Sequence, residues 1–209
     1  MKVISVCHDK THAATLIYSL EKNGWDYEII ETEWKGFGTK LISVYNYLKE
    51  HYEVDYFIFV DAFDVICLGK PDEFVSKMHR MNAMMMGMER GLWPPILQPF
   101  KDHYNTSESG FDFVNSGMYY APSKLFIEIF EKYKPFYEID DQFWLNMVWL
   151  MGEDFDYYGD GEQKIFNNYS FIKEGEYTYN NNRVQINGNE PIFIHGNGRS
   201  DMTKILELI

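Results

Sequence analysis

Two aspartates that follow the most apolar strand-like run of the sequence are spaced so that they could bind a metal ion. Tyr56–Val60 reads as a buried strand of a parallel sheet, Asp61 follows it directly, and Asp64 comes three residues later. Open α/β sheets bind ligands at the carboxyl ends of their strands. If the chain turns after Asp61, both carboxylates can face one point, where Mg²⁺ or Mn²⁺ would remove the repulsion between them.

Two other interpretations of this aspartate pair remain open from the segment alone. One carboxylate could cap a helix while the other is a solvated turn residue. The pair could also be the acid and base of a glycoside hydrolase, which places two carboxylates on either side of its substrate. Their closeness in sequence after a parallel strand favours a shared cation.

A histidine near the end of the chain offers a third metal ligand. The apolar segment Pro191–Ile194 is typical of a short strand, and it ends at His195. Glycines occupy two of the next three positions, and such turns let backbone N–H groups approach a phosphate closely. A lone histidine at a strand end is more often structural, but beside the aspartate pair it is interpreted as a ligand.

The elements that must position these side chains alternate between strand and helix. Strands are expected at Val3–Cys7, Tyr27–Ile30 and Tyr56–Val60, and helices at Thr11–Lys22 and Thr39–Glu50. This order predicts a parallel sheet with right-handed crossovers. The expected fold class is therefore α/β with a mostly parallel central sheet.

The second half of the sequence is less regular. A strand is expected at Ala83–Met88, helices at Ser123–Tyr133 and Asp140–Met151, and short strands at Arg183–Ile186 and Pro191–Ile194. Residues 91–110 carry three prolines and a polar run, which predicts a long surface loop. Because the chain has no internal repeat and no evident boundary, we expect a single domain over residues 1–209.

Composition limits the class of protein and of ligand. The 209 residues include 19 Lys and Arg against 32 Asp and Glu, a net charge of −13, which disfavours nucleic acids and anionic membranes as partners but suits a divalent cation. Cys7 and Cys67 lie in apolar runs and are expected to be buried free thiols. No run approaches the ~20 apolar residues of a membrane span, and Met1–His8 is too short for a signal-peptide core. We therefore expect a soluble cytoplasmic protein.

Nine short motifs, in one order along nearly the whole chain, resemble the glycosyltransferase domain of the procollagen lysyl hydroxylases and related procollagen-type sugar transferases. They are Val3-Ile-Ser-Val, Glu33-Trp-Lys-Gly with Lys40, Phe59-Val-Asp-Ala-Phe-Asp-Val-Ile, Trp93-Pro, Asn115-Ser-Gly, Asp140-Asp-Gln, Lys164-Ile-Phe, Asn182-Arg-Val and Ile194-His-Gly-Asn-Gly. The resemblance implies a GT-A fold, with a Rossmann-like nucleotide-binding half and an acceptor-facing half in one compact unit.

The same resemblance implies an activity and its cofactor. It implies a metal-dependent hexosyltransferase that uses Mn²⁺ or Mg²⁺ and a UDP-sugar donor, UDP-glucose or UDP-galactose. The hexose would pass to an acceptor hydroxyl on a hydroxylysine-like residue or a glycan. At the matching positions Asp61, Asp64 and His195 would hold the metal, which bridges the donor diphosphate.

Further site residues are implied by the resemblance at matching positions. The implied donor-binding residues are Val6, Trp34, Lys40, Ala62, Phe63, Asn197 and Gly198. Trp34 would lie against the uracil face, which suits a flat apolar ring. The implied catalytic residues are Trp93, Asn115, Asp140 and Asp141.

Two of these catalytic assignments compete with structural roles. One carboxylate of Asp140-Asp141 would hydrogen-bond sugar hydroxyls or stabilise positive charge at the anomeric carbon. An Asp pair at a helix start is also commonly a cap that complements the helix dipole. Trp93 would close over the sugar, or else anchor its own loop.

Departures from the family pattern leave the sugar and the acceptor open. Phe63 stands where the family has tyrosine, Met118 where it has a second glycine, and the acidic run is shortened to two residues. A transferase acting on hydroxymethylated DNA bases is an alternative that the net charge disfavours. A non-catalytic UDP-sugar-binding module is another, disfavoured because all three expected metal ligands are present.

Overall fold

The computed structural model describes residues 1–173, 175–180 and 183–209. The strands are β1 Lys2–Cys7, β2 Tyr27–Glu31, β3 Tyr56–Val60, β4 Val65–Cys67, β5 Met84–Glu89, β6 Phe113–Pro122, β7 Tyr157–Asp160, β8 Phe166–Asn168, β9 Tyr177–Asn180, β10 Arg183–Ile186 and β11 Phe193–His195. The α-helices are α1 Ala14–Lys22, α2 Gly38–Glu50, α3 Pro71–Lys77, α4 Ser123–Tyr133, α5 Asp141–Met151 and α6 Thr203–Leu206. Short 3-10 helices span Lys10–Ala13, Pro95–His103 and Asn197–Arg199.

A six-stranded sheet of order β2-β1-β3-β6-β5-β7 forms the centre of the protein. β1 runs parallel to both β2 and β3, and β7 runs parallel to β5. β6 alone runs antiparallel to its neighbours β3 and β5. The expected α/β class with a mostly parallel central sheet is confirmed.

Helices cover both faces of this sheet, because neighbouring strand residues point to opposite sides. In β3, Ile58 packs into a cluster with Leu16 of α1 and Phe74 of α3. The adjacent Phe59 packs instead into a cluster with Leu41 of α2 and residues of α4 and α5. The sheet is therefore buried between two apolar layers.

A second, three-stranded sheet of order β4-β11-β8 joins distant parts of the chain. β11 pairs antiparallel with β4, so that His195 lies opposite Val65, and it pairs parallel with β8, so that His195 also lies opposite Asn168. β9 and β10 form a separate antiparallel ladder. The small sheet thus brings the last strand of the chain beside the segment that follows β3.

Two regions differ from the sequence-based expectation. Residues 91–110 are not only a loop, because the 3-10 helix Pro95–His103 lies within them and buries Leu97 against Tyr104 and Phe113. No single strand was expected across Asn115-Ser-Gly, but this motif lies inside β6, whose register shifts opposite Met86 and Gly87. One residue of the motifs, Asn182, lies outside the described residues.

Cys7 and Cys67 are both buried and free, as expected. Within the part of the chain that the structure describes, every helix is too short or too polar to traverse a lipid bilayer.

Candidate functional site

The three expected metal ligands lie together at the carboxyl end of β3. One ligand atom from each of Asp61, Asp64 and His195 lies within 4.8 Å of the other two. His195 Nε2 is 3.3 Å from Asp64 Oδ1 and 3.7 Å from Asp61 Oδ2. The chain turns at residues 62–64, which is the condition under which two carboxylates three residues apart can face one point.

Backbone pairing and one glycine hold the histidine at this position. Gly196 N donates to Asp64 O at 2.7 Å, and Asp61 N donates to Gly117 O at 2.8 Å. A Cβ atom on Gly117 would lie 2.1 Å from Cε1 of the His195 ring and within 2.8 Å of both ring nitrogens. Gly117 is therefore required because the imidazole lies flush against the backbone of β6.

Two amide oxygens determine which nitrogen of His195 faces the aspartates. His195 Nδ1 lies 2.8 Å from Asn168 Oδ1 and 3.1 Å from Asn115 Oδ1. Both amides are oriented by acceptors, since Asn168 Nδ2 donates to Met88 O and Asn115 Nδ2 donates to Glu89 Oε1. Because an amide oxygen only accepts, Nδ1 carries a proton, and Nε2 is the nitrogen available to a metal.

A buried lysine completes the electrostatics of the cluster. Lys40 Nζ lies 2.7 Å from Asp61 Oδ1 and 2.7 Å from Asp141 Oδ2. Burial lowers the pKa of the Lys40 amine, but the carboxylates of Asp141 and Asp61 outweigh it and leave the pKa raised. Lys40 thus stays charged and holds one oxygen of Asp61, while the other oxygen faces His195.

Asp64 and His195 each stabilise the charged form of the other. Burial raises the pKa of the Asp64 carboxyl, but the N–H and the charge of His195 leave it lowered. Burial lowers the pKa of the His195 imidazole, but Asp64 and Asp61 leave it raised. A proton on Nε2 therefore satisfies the carboxylates, and a divalent ion would replace that proton.

These residues fit a divalent cation. Two carboxylate oxygens and one imidazole nitrogen converge on one point, and oxygen-rich sets of this kind suit Mg²⁺ or Mn²⁺. The Nδ1 proton of His195 is already held by amide oxygens, as is usual for metal-bound histidines.

The acid pair at the start of α5 divides into two different environments. Asp140 is the N-cap, and its Oδ1 accepts from Phe143 N at 2.8 Å. Asp141 is buried and bound to Lys40. The capping alternative therefore describes Asp140, whereas Asp141 is connected through Lys40 to Asp61.

The other two expected catalytic residues lie on different sides of the cluster. Asn115 is buried and faces His195 from behind, where its side chain orients the imidazole. Trp93 is 55% exposed on the loop after β5. Its carbonyl oxygen lies 3.4 Å from Gln142 Nε2, at the first turn of α5.

The expected donor-binding side chains are partly exposed and partly turned inward. Trp34 and Phe63 are exposed aromatic rings, and Phe63 packs edge-on against His8 and His12 with ring centroids 5.5 Å apart. Val6 and Ala62 are buried at the carboxyl ends of β1 and β3.

The side chain of Asn197 does not face open space. Its Nδ2 donates to Glu89 Oε2 at 2.7 Å, and its Oδ1 accepts from Ser170 N at 3.0 Å. Gly198 is exposed and has a φ of 66°, a left-handed conformation that favours glycine. The side chain of Asn197 therefore anchors the turn, and the backbone of the turn is what remains to contact a ligand.

A cavity of about 450 Å³ opens beside Asp64. Its walls include Thr15, Phe63 and Met202, with the backbone of Gly196 at one end. Small-molecule sites are typically clefts of about 300–1,000 Å³ with a few polar groups in mostly apolar walls. The cavity is therefore large enough for a nucleotide-sized ligand in reach of Asp64, a candidate metal ligand.

The sequence analysis missed the buried polar residues behind the cluster. They are Glu89, Gln142, Asn168 and Ser170. Glu89 ends β5 just as Asp61 follows β3, so the same strand-end signal could have found it. Asn168 ends a strand of only three residues, which is too short to be recognised in the sequence.

Residues 4–207 match the family model described as the PLOD GT domain. The chain belongs to this family. The resemblance to the glycosyltransferase domain of the procollagen lysyl hydroxylases is thereby confirmed.

Individual relatives agree with this assignment. The chain is 27% identical over 150 residues to the multifunctional procollagen lysine hydroxylase and glycosyltransferase LH3 of Homo sapiens, and equally to LH3 of Pongo abelii. The match covers 68% of this chain and 20% of each relative, so the chain spans about a fifth of the length of these proteins.

A solved structure shows the fold. A glycosyltransferase involved in the glycosylation of the major capsid of PBCV-1 superimposes with a TM-score of 0.59 at 10% identity. The superposition covers 100% of this chain and 98% of that one. The protein is a glycosyltransferase-like domain with the GT-A fold.

Proposed function

We propose that this PLOD GT domain is a Mn²⁺- or Mg²⁺-dependent glycosyltransferase that moves a hexose from a UDP-sugar to an acceptor hydroxyl. The observation that carries the proposal is the convergence of Asp61, Asp64 and His195, with the histidine Nε2 facing both carboxylates. Family membership supplies the reaction class.

Asp61, Asp64 and His195 would hold the metal. When bound, the ion would act as a Lewis acid on the donor diphosphate and stabilise the leaving UDP. Lys40 keeps Asp61 in place by holding its second oxygen and brings a fixed positive charge to the diphosphate side of the site.

The remaining site residues are assigned from their exposure and their contacts. Trp34 and Phe63 present exposed rings that would flank the nucleobase. The backbone of the turn at Gly198 would contact the diphosphate or sugar. Asp141 is proposed to contact the sugar or stabilise charge at the anomeric carbon, because Asp140 already serves as a helix cap.

The acceptor is proposed from the relatives. LH3 is described as a procollagen lysine hydroxylase and glycosyltransferase, so a hydroxylysine-like hydroxyl is one candidate and a glycan hydroxyl is the other. The donor is proposed to be UDP-glucose or UDP-galactose. A non-catalytic UDP-sugar-binding module remains the competing function, and the assay below separates the two.

The test is UDP release and hexose transfer with each nucleotide sugar, with and without Mn²⁺. Asp61→Ala is expected to lower metal-dependent turnover at least a hundredfold, in the range found for essential electrostatic groups, about 10²–10³. Asp154→Ala is the matched control. Asp154 is an exposed residue that pairs with Lys132, so this variant should keep full turnover. Undiminished UDP release by the Asp61 variant would refute the proposal.

Thermal shifts identify the donor independently of turnover. A ligand at a hundredfold excess over its Kd stabilises the folded state by about 2.7 kcal/mol. The donor should therefore raise the melting temperature more with Mn²⁺ than without it. Tight UDP binding with no turnover on any acceptor would favour the binding module.

A further inference from the structure

A buried carboxylate, Glu89, lies behind the metal-ligand cluster. It ends β5 and is 5% exposed. Three side-chain amides donate to it: Asn115 Nδ2 to Oε1 at 3.1 Å, Gln142 Nε2 also to Oε1, and Asn197 Nδ2 to Oε2 at 2.7 Å. Among the described residues, no lysine or arginine forms an ion pair with it.

The hydrogen-bond partners of Glu89 fit its ionised form. Burial raises the pKa of the carboxyl, and the amide N–H groups counter that effect only in part. All three partners are N–H donors, so a protonated oxygen would face a donor and have no acceptor. Glu89 therefore acts as an acceptor on both oxygens.

An acceptor at this position decides how Asn115 is oriented. An asparagine amide fits a site in either of two orientations, which exchange its donor and its acceptor. With Nδ2 bound to Glu89, Oδ1 of Asn115 is turned to Gly117 N at 2.8 Å and to His195 Nδ1 at 3.1 Å. The reversed amide would present an N–H group to His195 Nδ1 and favour the proton on Nε2 instead.

The same carboxylate joins the other segments around the site. Through Asn197 it holds the turn of residues 196–198, and Asn197 Nδ2 also donates to Ser170 Oγ. Through Gln142 it holds the first turn of α5, next to Asp141. Side chains on three segments are thus fixed by one buried anion.

We propose that Glu89 is a positioning residue that orients the amide of Asn115, so that Asn115 acts together with Asn168 to keep the proton on Nδ1 of His195, and thereby tunes the metal affinity of the Asp61–Asp64–His195 cluster. The proposal rests on the proposed function, since it requires a divalent ion at this cluster. Partners behind metal ligands typically change metal affinity by about 10–100-fold when they are mutated, and Glu89 is expected at the lower end because it acts through Asn115.

The test compares two variants of Glu89. Glu89→Met removes the acceptor in a side chain of similar length, and Mn²⁺ should bind about tenfold more weakly. Glu89→Gln keeps one oxygen, which Asn115 and Gln142 can share as they now share Oε1, while its amide N–H group replaces the oxygen that accepts from Asn197 Nδ2. It therefore keeps the contact that orients Asn115 and loses the contact to Asn197. Glu89→Gln should therefore bind Mn²⁺ within about threefold of the wild type, a rescue that a general loss of stability would not produce.

Mn²⁺ alone is the probe, and electron paramagnetic resonance gives two readouts. The intensity of the free Mn²⁺ signal measures how much metal is bound and so gives the affinity. The ¹⁴N coupling of bound Mn²⁺ shows whether the imidazole is a ligand. Both should weaken in Glu89→Met and persist in Glu89→Gln. Equal affinity and equal ¹⁴N coupling in the wild type and Glu89→Met would overturn the role of Glu89.

A second buried carboxylate provides the control. Asp160 accepts backbone N–H groups from Lys164, Ile165 and Phe166 but contacts neither His195 nor its amide partners. Asp160→Asn should lower the melting temperature and leave Mn²⁺ affinity unchanged. A similar loss of Mn²⁺ affinity in this variant would show that any disturbed buried acid weakens the site, and would overturn the specific role of Glu89.

The remaining outcomes separate this inference from the proposed function. A wild type that does not bind Mn²⁺ would count against the metal assignment itself. If Glu89→Met fails to fold, Asn115→Ala takes its place, because Asn115 is the residue through which Glu89 reaches His195. A loss of Mn²⁺ affinity of about tenfold in Asn115→Ala supports the inference. Unchanged affinity in that variant, or a proton on Nε2 of neutral His195 in the wild type by ¹⁵N NMR, overturns it.

Discussion

At the scale of single residues, the position of His195 depends on the absence of a side chain at Gly117. The imidazole lies where a Cβ atom of residue 117 would be. The same strand contributes Asn115, whose Oδ1 accepts a hydrogen bond from Nδ1 of that imidazole. One short stretch of β6 therefore both makes room for the ring and orients it.

Gly117→Ala should displace the imidazole and weaken Mn²⁺ binding at least tenfold, the range seen when ligand orientation is lost. The added methyl carbon would lie 2.1 Å from His195 Cε1. Because a methyl group has no alternative rotamer, only movement of the ring or of the backbone removes this clash. Titration with Mn²⁺ measures the effect. Gly161→Ala is the control, because its Cβ would approach no atom closer than 3.2 Å. Equal affinity in both variants would show that the ring is free to move.

At this scale the sequence predicted the residues that end or follow apolar strands. Asp61, Asp64 and His195 could be recognised because each lies at or just after an apolar run, and the structure brings them together. Lys40 was reached only through the family resemblance. Gly117 appeared only as part of a motif, and Glu89 and Asn168 were missed. The strand-end pattern could have identified Glu89. The roles of Gly117 and Asn168 depend on contacts between distant segments, which no local pattern records.

At the scale of elements, an ion pair joins α3 to the β9–β10 hairpin. Arg183 of β10 places Nη1 3.0 Å and Nη2 2.9 Å from the two oxygens of Glu73. Lys77 of α3 also donates to the backbone oxygen of Glu190, which follows the hairpin. These contacts hold the hairpin against the rest of the protein.

This pair should make stability depend on pH. Burial raises the pKa of Glu73, but Arg183 outweighs it and leaves the pKa lowered. A carboxyl with a lowered pKa stabilises the fold above its unfolded pKa of about 4.3, and the contribution is lost as pH falls through the folded value. Glu73 is 35% exposed, so the pair contributes no more than about 1 kcal/mol.

Urea unfolding at pH 7 and pH 3 measures this contribution. Glu73→Gln should be less stable than the wild type by up to about 1 kcal/mol at pH 7, and the difference should close at pH 3. Glu108→Gln, at an exposed loop carboxylate outside the ion pairs of the described residues, is the control and should show no difference at either pH. A difference for Glu73→Gln that persists at pH 3 would contradict the assignment.

Most predicted elements lie within about two residues of the observed ones, including the four-residue strand β10. By contrast, α1 begins three residues later than expected, β6 was not predicted as one strand, and β4 and β8 were missed. β3 matches its prediction of Tyr56–Val60, and α4 and α5 begin and end close to the expected positions. β4 and β8 have three residues each, too few for a period to appear. Such short strands form because a partner strand pairs with them. The residues of that partner, β11, lie elsewhere in the sequence, so the local pattern does not reveal the pairing.

At the scale of the whole molecule, acidic residues outnumber basic ones by 32 to 19. Among the described residues, two members of the most basic stretches are engaged by acids, since Arg80 pairs with Asp156 and Lys132 pairs with Asp154 at 2.6 Å. Phosphate recognition along a duplex needs several unengaged lysines or arginines on one face. The structure offers no support for nucleic acid as the acceptor.

Duplex DNA that contains hydroxymethylated bases should therefore not bind. Fluorescence anisotropy at low salt measures this, where any electrostatic affinity would be strongest. Saturable binding that weakens steadily as salt is added would contradict the expectation and revive a DNA acceptor.

The fold class followed from the alternation of strands and helices in the first sixty residues. That alternation could not show that β6 runs antiparallel between β3 and β5, because strand order depends on which edges meet after the chain has collapsed. Nor could it show the small sheet, whose central strand comes near the end of the chain.

The antiparallel ladder between β4 and β11 has a kinetic consequence. Asp64 precedes β4, His195 ends β11, and a backbone hydrogen bond from Gly196 to Asp64 locks their spacing. Capture of an ion would then require little backbone rearrangement, so its speed would be limited by how fast the ion sheds water. Mg²⁺ gives up its hydration shell reluctantly. We therefore expect this rigid pocket to load Mn²⁺ faster than Mg²⁺, whichever ion it holds more tightly at equilibrium.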